Sequence, residues 1–112
     1  MNVLEGLALA RHAKAANASR PATAIAHDSA DARVVLFRLE PTQEVAVHTS
    51  KSSVILVVLD GSGVVVGANG EREVRAGDIV AYAPEEPHGM RAGDSQFVLA
   101  AVIAPRPGER QS

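Results

Sequence analysis

Residues 44–66 of this chain read EVAVHTSKSSVILVVLDGSGVVV. Three short runs rich in valine, isoleucine and leucine, at 44–48, 54–59 and 63–67, alternate here with polar linkers. Runs of this length bounded by Ser, Asp and Gly are typical of β-strands, and Asp60-Gly61-Ser62-Gly63 has the composition of a tight turn. The stretch therefore predicts consecutive strands joined by short turns.

The same pattern continues on both sides of this stretch. Asn69-Gly70 favours a two-residue hairpin turn, because both residues tolerate positive φ angles, and hairpins join antiparallel strands. The other candidate strands lie at 22–27, 33–39, 71–75, 79–83, 88–91 and 96–104. Nine strands in 112 residues predict one all-β domain, a closed barrel or a sandwich, over 21–104. A helix and its lead-in would occupy 1–20, and a loose tail 105–112.

The sequence predicts an N-terminal helix and two strands whose outer faces must be covered. Asn2 and Glu5 have the spacing of a helix-capping pair, and Val3, Leu7 and Ala10 recur at helical spacing. The runs 54–59 and 97–104 are apolar on both faces, so each needs cover on both sides. The interior supplies one cover; the helix or a second subunit would supply the other, and we expect a homodimer.

Composition excludes several classes of function. The formal net charge is −2 and charges of both signs alternate along the chain, so no basic patch predicts binding to nucleic acid or to a membrane surface. The absence of cysteine excludes disulfides and thiolate chemistry. No apolar run reaches the length of a membrane span, and the first residues lack the basic segment of a signal peptide. We expect a cytoplasmic protein.

Two segments, VAVHTSKSSVILVVLDGSG (45–63) and AGDIVAYAPEEPHGM (76–90), each contain a histidine and a glycine turn. They are similar to the first and second motifs of the cupin family, small jelly-roll barrels of the RmlC-like type that bind metals or small molecules inside. Residues 40–102 resemble this family. The resemblance implies an antiparallel jelly-roll barrel with a short N-terminal helix. The matching positions are His48 and Gly61 in the first motif and Gly77, Asp78, Pro84, Pro87 and His88 in the second.

Two of the four metal ligands that the family usually carries are replaced here. Ser50 stands where a second histidine would be, and Val54 where a glutamate would be. His48 and His88 remain as candidate ligands for one divalent transition metal such as Zn, Fe, Ni or Mn, but such metals usually take at least three protein ligands. The alternative is that both imidazoles are polar groups of a metal-free pocket.

Strand alternation places His48 and Ser50 on one face of their strand. Tyr82 and Met90 lie close in sequence to His88, although core packing also accounts for them. His12 and His27 are interpreted as surface residues, and Glu85 and Glu86 as a charged loop. The predicted pocket is lined by His48, Ser50, Val54, Tyr82, His88 and Met90.

Three functions remain open at this point. The first is a module that binds a small molecule, or weakly a divalent metal, inside the barrel. The second is a metal-dependent cupin enzyme, a dioxygenase, isomerase or decarboxylase, with His48 and His88 as ligands. The third is a structural or interaction role, with the interior packed shut by apolar side chains.

Overall fold

A computed structural model describes residues 1–108, and residues 109–112, the end of the predicted tail, lie outside this part of the chain. The described residues form one helix and nine strands, which confirms the all-β prediction. The elements are α1 Gly6–His12, β1 Ala22–Asp28, β2 Arg33–Leu39, β3 Glu44–His48, β4 Ser53–Asp60, β5 Ser62–Gly67, β6 Gly70–Arg75, β7 Ile79–Tyr82, β8 His88–Ala92 and β9 Phe97–Ala104.

The strands form two antiparallel sheets. One sheet has the order β1-β2-β9-β4-β7 and the other β3-β8-β5-β6. Within residues 1–108 no backbone ladder joins the two sheets, so of the two predicted alternatives, a closed barrel and a sandwich, the structure has the sandwich. Side chains packed between the sheets, rather than main-chain hydrogen bonds, hold the layers together.

The space between the sheets is packed tightly at one end. Phe97, Leu39 and Val58 are almost fully buried there, and Leu39 pairs directly with Phe97 across β2 and β9. Gly63 on the opposite sheet lies against the Phe97 ring: a Cβ added to it would stand 2.5 Å from Cδ2. The opposite end, where β4 and β8 begin and β9 ends, holds the cavity described below.

Helix α1 covers one part of the outer face of the five-stranded sheet. Ala10 packs with Leu36 and Val98 in a second buried cluster. The Arg38 guanidinium donates hydrogen bonds to the carbonyls of Ala10, Arg11 and Ala13, and it thereby caps the carbonyls left free at the helix C-terminus. No helix within residues 1–108 is long and apolar enough to span a membrane.

The start of the helix differs from the prediction. The helix begins at Gly6, its N-cap is Glu5, and no side chain caps it, so Asn2 and Glu5 do not form a capping pair. Val3 precedes the helix and is 78% exposed. Val3 therefore lies outside the helix and does not pack against the sheet, although its spacing from Leu7 and Ala10 is helical.

The turn between β5 and β6 also differs in detail. Ala68 and Asn69 form the two-residue loop, and Gly70, with φ +117°, takes the positive angle whereas Asn69 does not. Glycine adopts this conformation without a steric penalty from Cβ.

Candidate functional site

A cavity of about 490 Å³ opens between the two sheets at the end opposite Phe97. Its volume lies within the range of about 300–1,000 Å³ that is usual for small-molecule sites. The apolar part of its wall comes from strands of both sheets: Phe37, Val45, Val54, Leu56, Met90, Ala101 and Ile103. The interior is therefore packed at one end and open at the other, which contradicts an interior packed shut throughout.

The two histidines meet in this wall as direct partners across β3 and β8. The pairing runs from Val45 opposite Met90 to His48 opposite His88, with a shift of register between them. Regular pairing would place Val47 opposite His88, so β3 contains one extra residue. Bulges of this kind redirect side chains near binding sites, and here the bulge brings the imidazole rings to a centroid distance of 4.2 Å.

Each imidazole is oriented by a hydrogen bond from Nδ1 to a main-chain carbonyl. His48 Nδ1 lies 2.8 Å from the oxygen of Ala46, and His88 Nδ1 lies 2.9 Å from the oxygen of Glu86. Because a carbonyl oxygen only accepts, both Nδ1 atoms carry the proton, and Nε2 of the neutral ring is an acceptor. Within residues 1–108 neither Nε2 has a hydrogen-bond partner.

The two rings differ in exposure. His88 is 8% exposed and lies deep in the site, whereas His48 is exposed at the mouth. The pair therefore offers two acceptors at different depths.

Ser50 lies in the cavity wall beside them, in the loop between β3 and β4. Its hydroxyl oxygen accepts a hydrogen bond from the Ser52 amide at 3.1 Å, and its carbonyl accepts one from the Glu85 amide at 2.7 Å. The first bond lies within the β3-β4 loop, and the second ties this loop to the turn before β8. The main role of Ser50 is therefore structural: it fixes the conformation of the loop at the mouth of the cavity.

Tyr82 lies outside the cavity wall, unlike the other five predicted pocket residues. Its hydroxyl donates to the carbonyl of Val66 at 2.8 Å, and its ring packs against His88 with centroids 5.1 Å apart. Burial, and secondarily the Glu86 carboxylate, raise the pKa of this hydroxyl, so it stays a donor. Tyr82 supports the imidazole of His88 rather than facing a ligand.

The donor set does not fit a usual transition-metal site. The described residues contain no group of three or more His, Cys, Asp or Glu side chains placed to hold a metal. His12 and His27 are exposed, on α1 and β1, and neither lines the cavity. The two imidazoles are one ligand short of the three that such metals usually need, and the Ser50 hydroxyl, which already accepts from the Ser52 amide, is not one of the usual ligand types.

Lys51, Pro107 and Gly108 line the cavity but were not predicted from the sequence, and Glu85 was interpreted only as part of a charged loop. Lys51 and Glu85 lie at the mouth, and no ion pair involves either side chain within residues 1–108. Glu85 has φ +68°, a conformation uncommon outside glycine. Pro107 and Gly108, from the tail predicted to be loose, complete the wall. The polar composition of 49–52 is the one sequence feature that could have predicted a polar rim around the cavity. The position of the tail could not be predicted, because it depends on long-range contacts.

Comparisons with known proteins agree with this architecture. A family model described as "Cupin domain" matches residues 35–103, and no curated protein matches the chain. An RmlC-like cupin protein from Desulfovibrio desulfuricans is 26% identical, with a TM-score of 0.79 over 94% of this chain and 97% of its own.

Two further solved structures are similar. TT1209 from Thermus thermophilus is 27% identical, with a TM-score of 0.79 over 87% of this chain and 94% of its own. The DMSP lyase DddQ from Ruegeria pomeroyi is 16% identical, with a TM-score of 0.71 over 84% of this chain and 52% of its own. This last likeness concerns the fold alone.

Proposed function

This chain belongs to the cupin domain family, and from that premise we propose that it binds a small molecule in the cavity without a tightly bound metal. The observation that carries the proposal is the pair of imidazoles at a 4.2 Å centroid distance in the wall of a largely apolar cavity. Both rings use Nδ1 on the main chain and keep Nε2 for a ligand.

The chemistry of the wall selects the class of ligand. A neutral imidazole with Nδ1 protonated accepts a hydrogen bond at Nε2, so the site suits a ligand that donates. An apolar body would fill the space between Val54, Leu56 and Met90 and gain the free energy of removing its surface from water. The expected ligand is a small, mostly apolar molecule with one or two hydroxyl groups.

Thermal unfolding in the presence of candidate ligands tests the proposal. The panel contains small aliphatic alcohols, phenols, diols and hydroxy acids. A ligand at about one hundred times its dissociation constant raises the melting temperature of a domain of this size by about 10 °C. His48→Ala and His88→Ala should abolish the shift, and His12→Ala, an exposed histidine far from the cavity, should leave it intact. A shift that survives both cavity variants would contradict the proposed site.

A metal-dependent enzyme is the second candidate function, and one observation favours it. Metal-binding histidines usually donate their other ring N–H to a carbonyl or carboxylate, which is how Nδ1 of His48 and His88 is used. The DMSP lyase DddQ is an enzyme with this fold. Against the enzyme stands the short donor set, since Ser50 and Val54 replace two usual ligands.

Metal analysis of tag-free protein separates the two candidates. Mass spectrometry should find well under one equivalent of Zn, Fe, Ni or Mn per chain, before and after incubation with these ions. One equivalent in the wild type that is lost in both His48→Ala and His88→Ala would instead establish the metal centre. Assays for oxygenase, isomerase and decarboxylase activity would then follow.

We also propose that the chain forms a homodimer. Helix α1 leaves part of the outer face of the five-stranded sheet uncovered, and Ile55 and Ile79 on the adjacent strands β4 and β7 are 39% and 68% exposed there. Covering such side chains with a second copy removes apolar surface from water.

A further inference from the structure

We propose that residues 105–108, here called the strap, form a movable wall of the cavity and that the ion pair between Asp28 and Arg106 holds this wall shut. The strap follows β9 directly, and Pro107 and Gly108 line the cavity. Its movement would open a further route to the interior, beside the mouth at which His48 is exposed, whatever ligand enters.

Polar contacts at two points fix the strap to the rest of the described chain. The Ser52 hydroxyl, almost fully buried in the cavity wall, donates to the carbonyl of Pro105 at 2.7 Å. The Arg106 guanidinium donates two hydrogen bonds to the Asp28 carboxylate, at 2.6 and 3.0 Å. The first contact anchors the start of the strap, and the second holds the part that reaches the cavity.

The sheet order gives the strap its direction. β1, which ends at Asp28, is separated from β9 by β2, so the chain must pass the end of β2 to bring Arg106 to that carboxylate. Asp28 is fixed at its position by a second guanidinium, that of Arg33 at the start of β2. The arginines beside Asp28, Arg106 first, hold the pKa of its carboxyl far below the usual range, so the ion pair is fully charged at neutral pH.

The ion pair between Arg106 and Asp28 is weak enough to break and let the strap move. The side chains of Arg106 and Asp28 are 36% and 31% exposed, and ion pairs with such access to water contribute little and weaken with salt. Pro107 and Gly108 have no side chain that could form a further hydrogen bond. Loss of one ion pair should therefore change how often the cavity opens without unfolding the sheets.

Access to a single thiol measures this opening. The chain has no cysteine, so Ala101→Cys places one thiol on a cavity residue that is 3% exposed. The rate of its reaction with N-ethylmaleimide, an uncharged reagent, is followed by mass spectrometry. Asp28→Asn and Arg106→Gln should each raise the rate about two- to five-fold, the range expected for one partly exposed ion pair. Salt at 1 M should raise the labelling rate of the Ala101→Cys protein. It should leave the labelling rate unchanged when Asp28→Asn or Arg106→Gln is also present.

Two controls separate strap movement from general loosening. Arg11→Gln removes a more exposed ion pair, with Asp60, on the helix side and should leave the rate unchanged. Val58→Cys places a thiol at the packed end, where the strap variants should not affect labelling.

Three results would overturn the proposal. One is an unchanged rate at Ala101→Cys in both strap variants, and another is an equal increase at Val58→Cys. The third is the same increase with Arg11→Gln. Ser50→Cys supplies a second cavity position if Ala101→Cys does not fold.

Discussion

Substitution of Gly63 by alanine should destabilise the protein. Among the glycines without a positive φ, it should cost more stability than a glycine-to-alanine substitution at any other position. A Cβ at this position would lie 2.5 Å from Cδ2 of Phe97 and 2.6 Å from the carbonyl oxygen of Arg91. Real Cβ atoms do not approach other atoms so closely, so either the ring or the strand must move. Phe97 has no exposed surface, and its neighbours leave it no free space.

The magnitude follows from the packing. Extra methyl groups in a closely packed core cost about 1–3 kcal/mol, because side chains and backbone are displaced from their preferred positions. The φ angle of Gly63 is not in the left-handed region, so the whole effect is steric. Phe97→Leu replaces the ring with a smaller side chain and should relieve the overlap with Cδ2, while the overlap with the Arg91 carbonyl oxygen stays. The double variant should therefore lose less stability than the sum of the two single losses.

Urea unfolding followed by circular dichroism measures these losses. With the slope usual for a domain of this size, the midpoint of Gly63→Ala should fall by about 1–2 M. Gly93→Ala is the matched control, since a Cβ there meets nothing within 4 Å and alanine restricts the unfolded chain; it should be neutral or stabilising by up to about 1 kcal/mol. Equal midpoints for Gly63→Ala and wild type would show that the two sheets are not in contact at Phe97, and the division into a packed and an open end would be wrong.

Three other perturbations test separate parts of the structure. Tyr82→Phe removes the hydroxyl bonded to main chain and should cost about 1 kcal/mol in urea unfolding; no loss would mean that the hydroxyl is free. The carboxyl of Glu40 has a lowered pKa, through the hydrogen bond from Gln96 first and that from Arg38 second. Its contribution to stability is therefore complete above the ordinary pKa of a glutamate and is lost as the pH falls through the lowered pKa of the folded state, so Glu40→Gln should flatten the acid limb of a stability profile. Ile79→Lys should convert a dimer to a monomer in sedimentation experiments, and a wild type that is already monomeric would remove the dimer proposal.

The strands were predictable because their signals are local. Runs of valine, isoleucine and leucine separated by turn residues locate all nine strands, with ends that differ by at most one residue. Two motif segments pointed to His48 and His88. These features depend on residues a few positions apart, which is the range over which strand alternation and turn chemistry operate.

The remaining features depend on pairing between distant segments. Alternation along β3 cannot reveal the bulge that moves Val47 aside and places His48 opposite His88. Alternation along β7 likewise cannot reveal that the Tyr82 hydroxyl donates to Val66 rather than facing the cavity, since Val66 is on the other sheet. The strap was missed for the same reason: Arg106 and Asp28 lie 78 positions apart.

Val54 links the sequence change in the first motif to the chemistry of the cavity. It is 5% exposed and packs in the main core cluster, at the position where the family usually has a glutamate. A carboxylate buried there would need a cation or several donors to offset its desolvation, whereas valine needs neither. Within residues 1–108 no buried side-chain nitrogen or oxygen lacks a hydrogen-bond partner, so the fully buried polar atoms are satisfied by the chain itself. The two Nε2 acceptors without a partner in this part of the chain then lie at the cavity, and this arrangement supports the proposal that the wall receives hydroxyl donors rather than a metal ion.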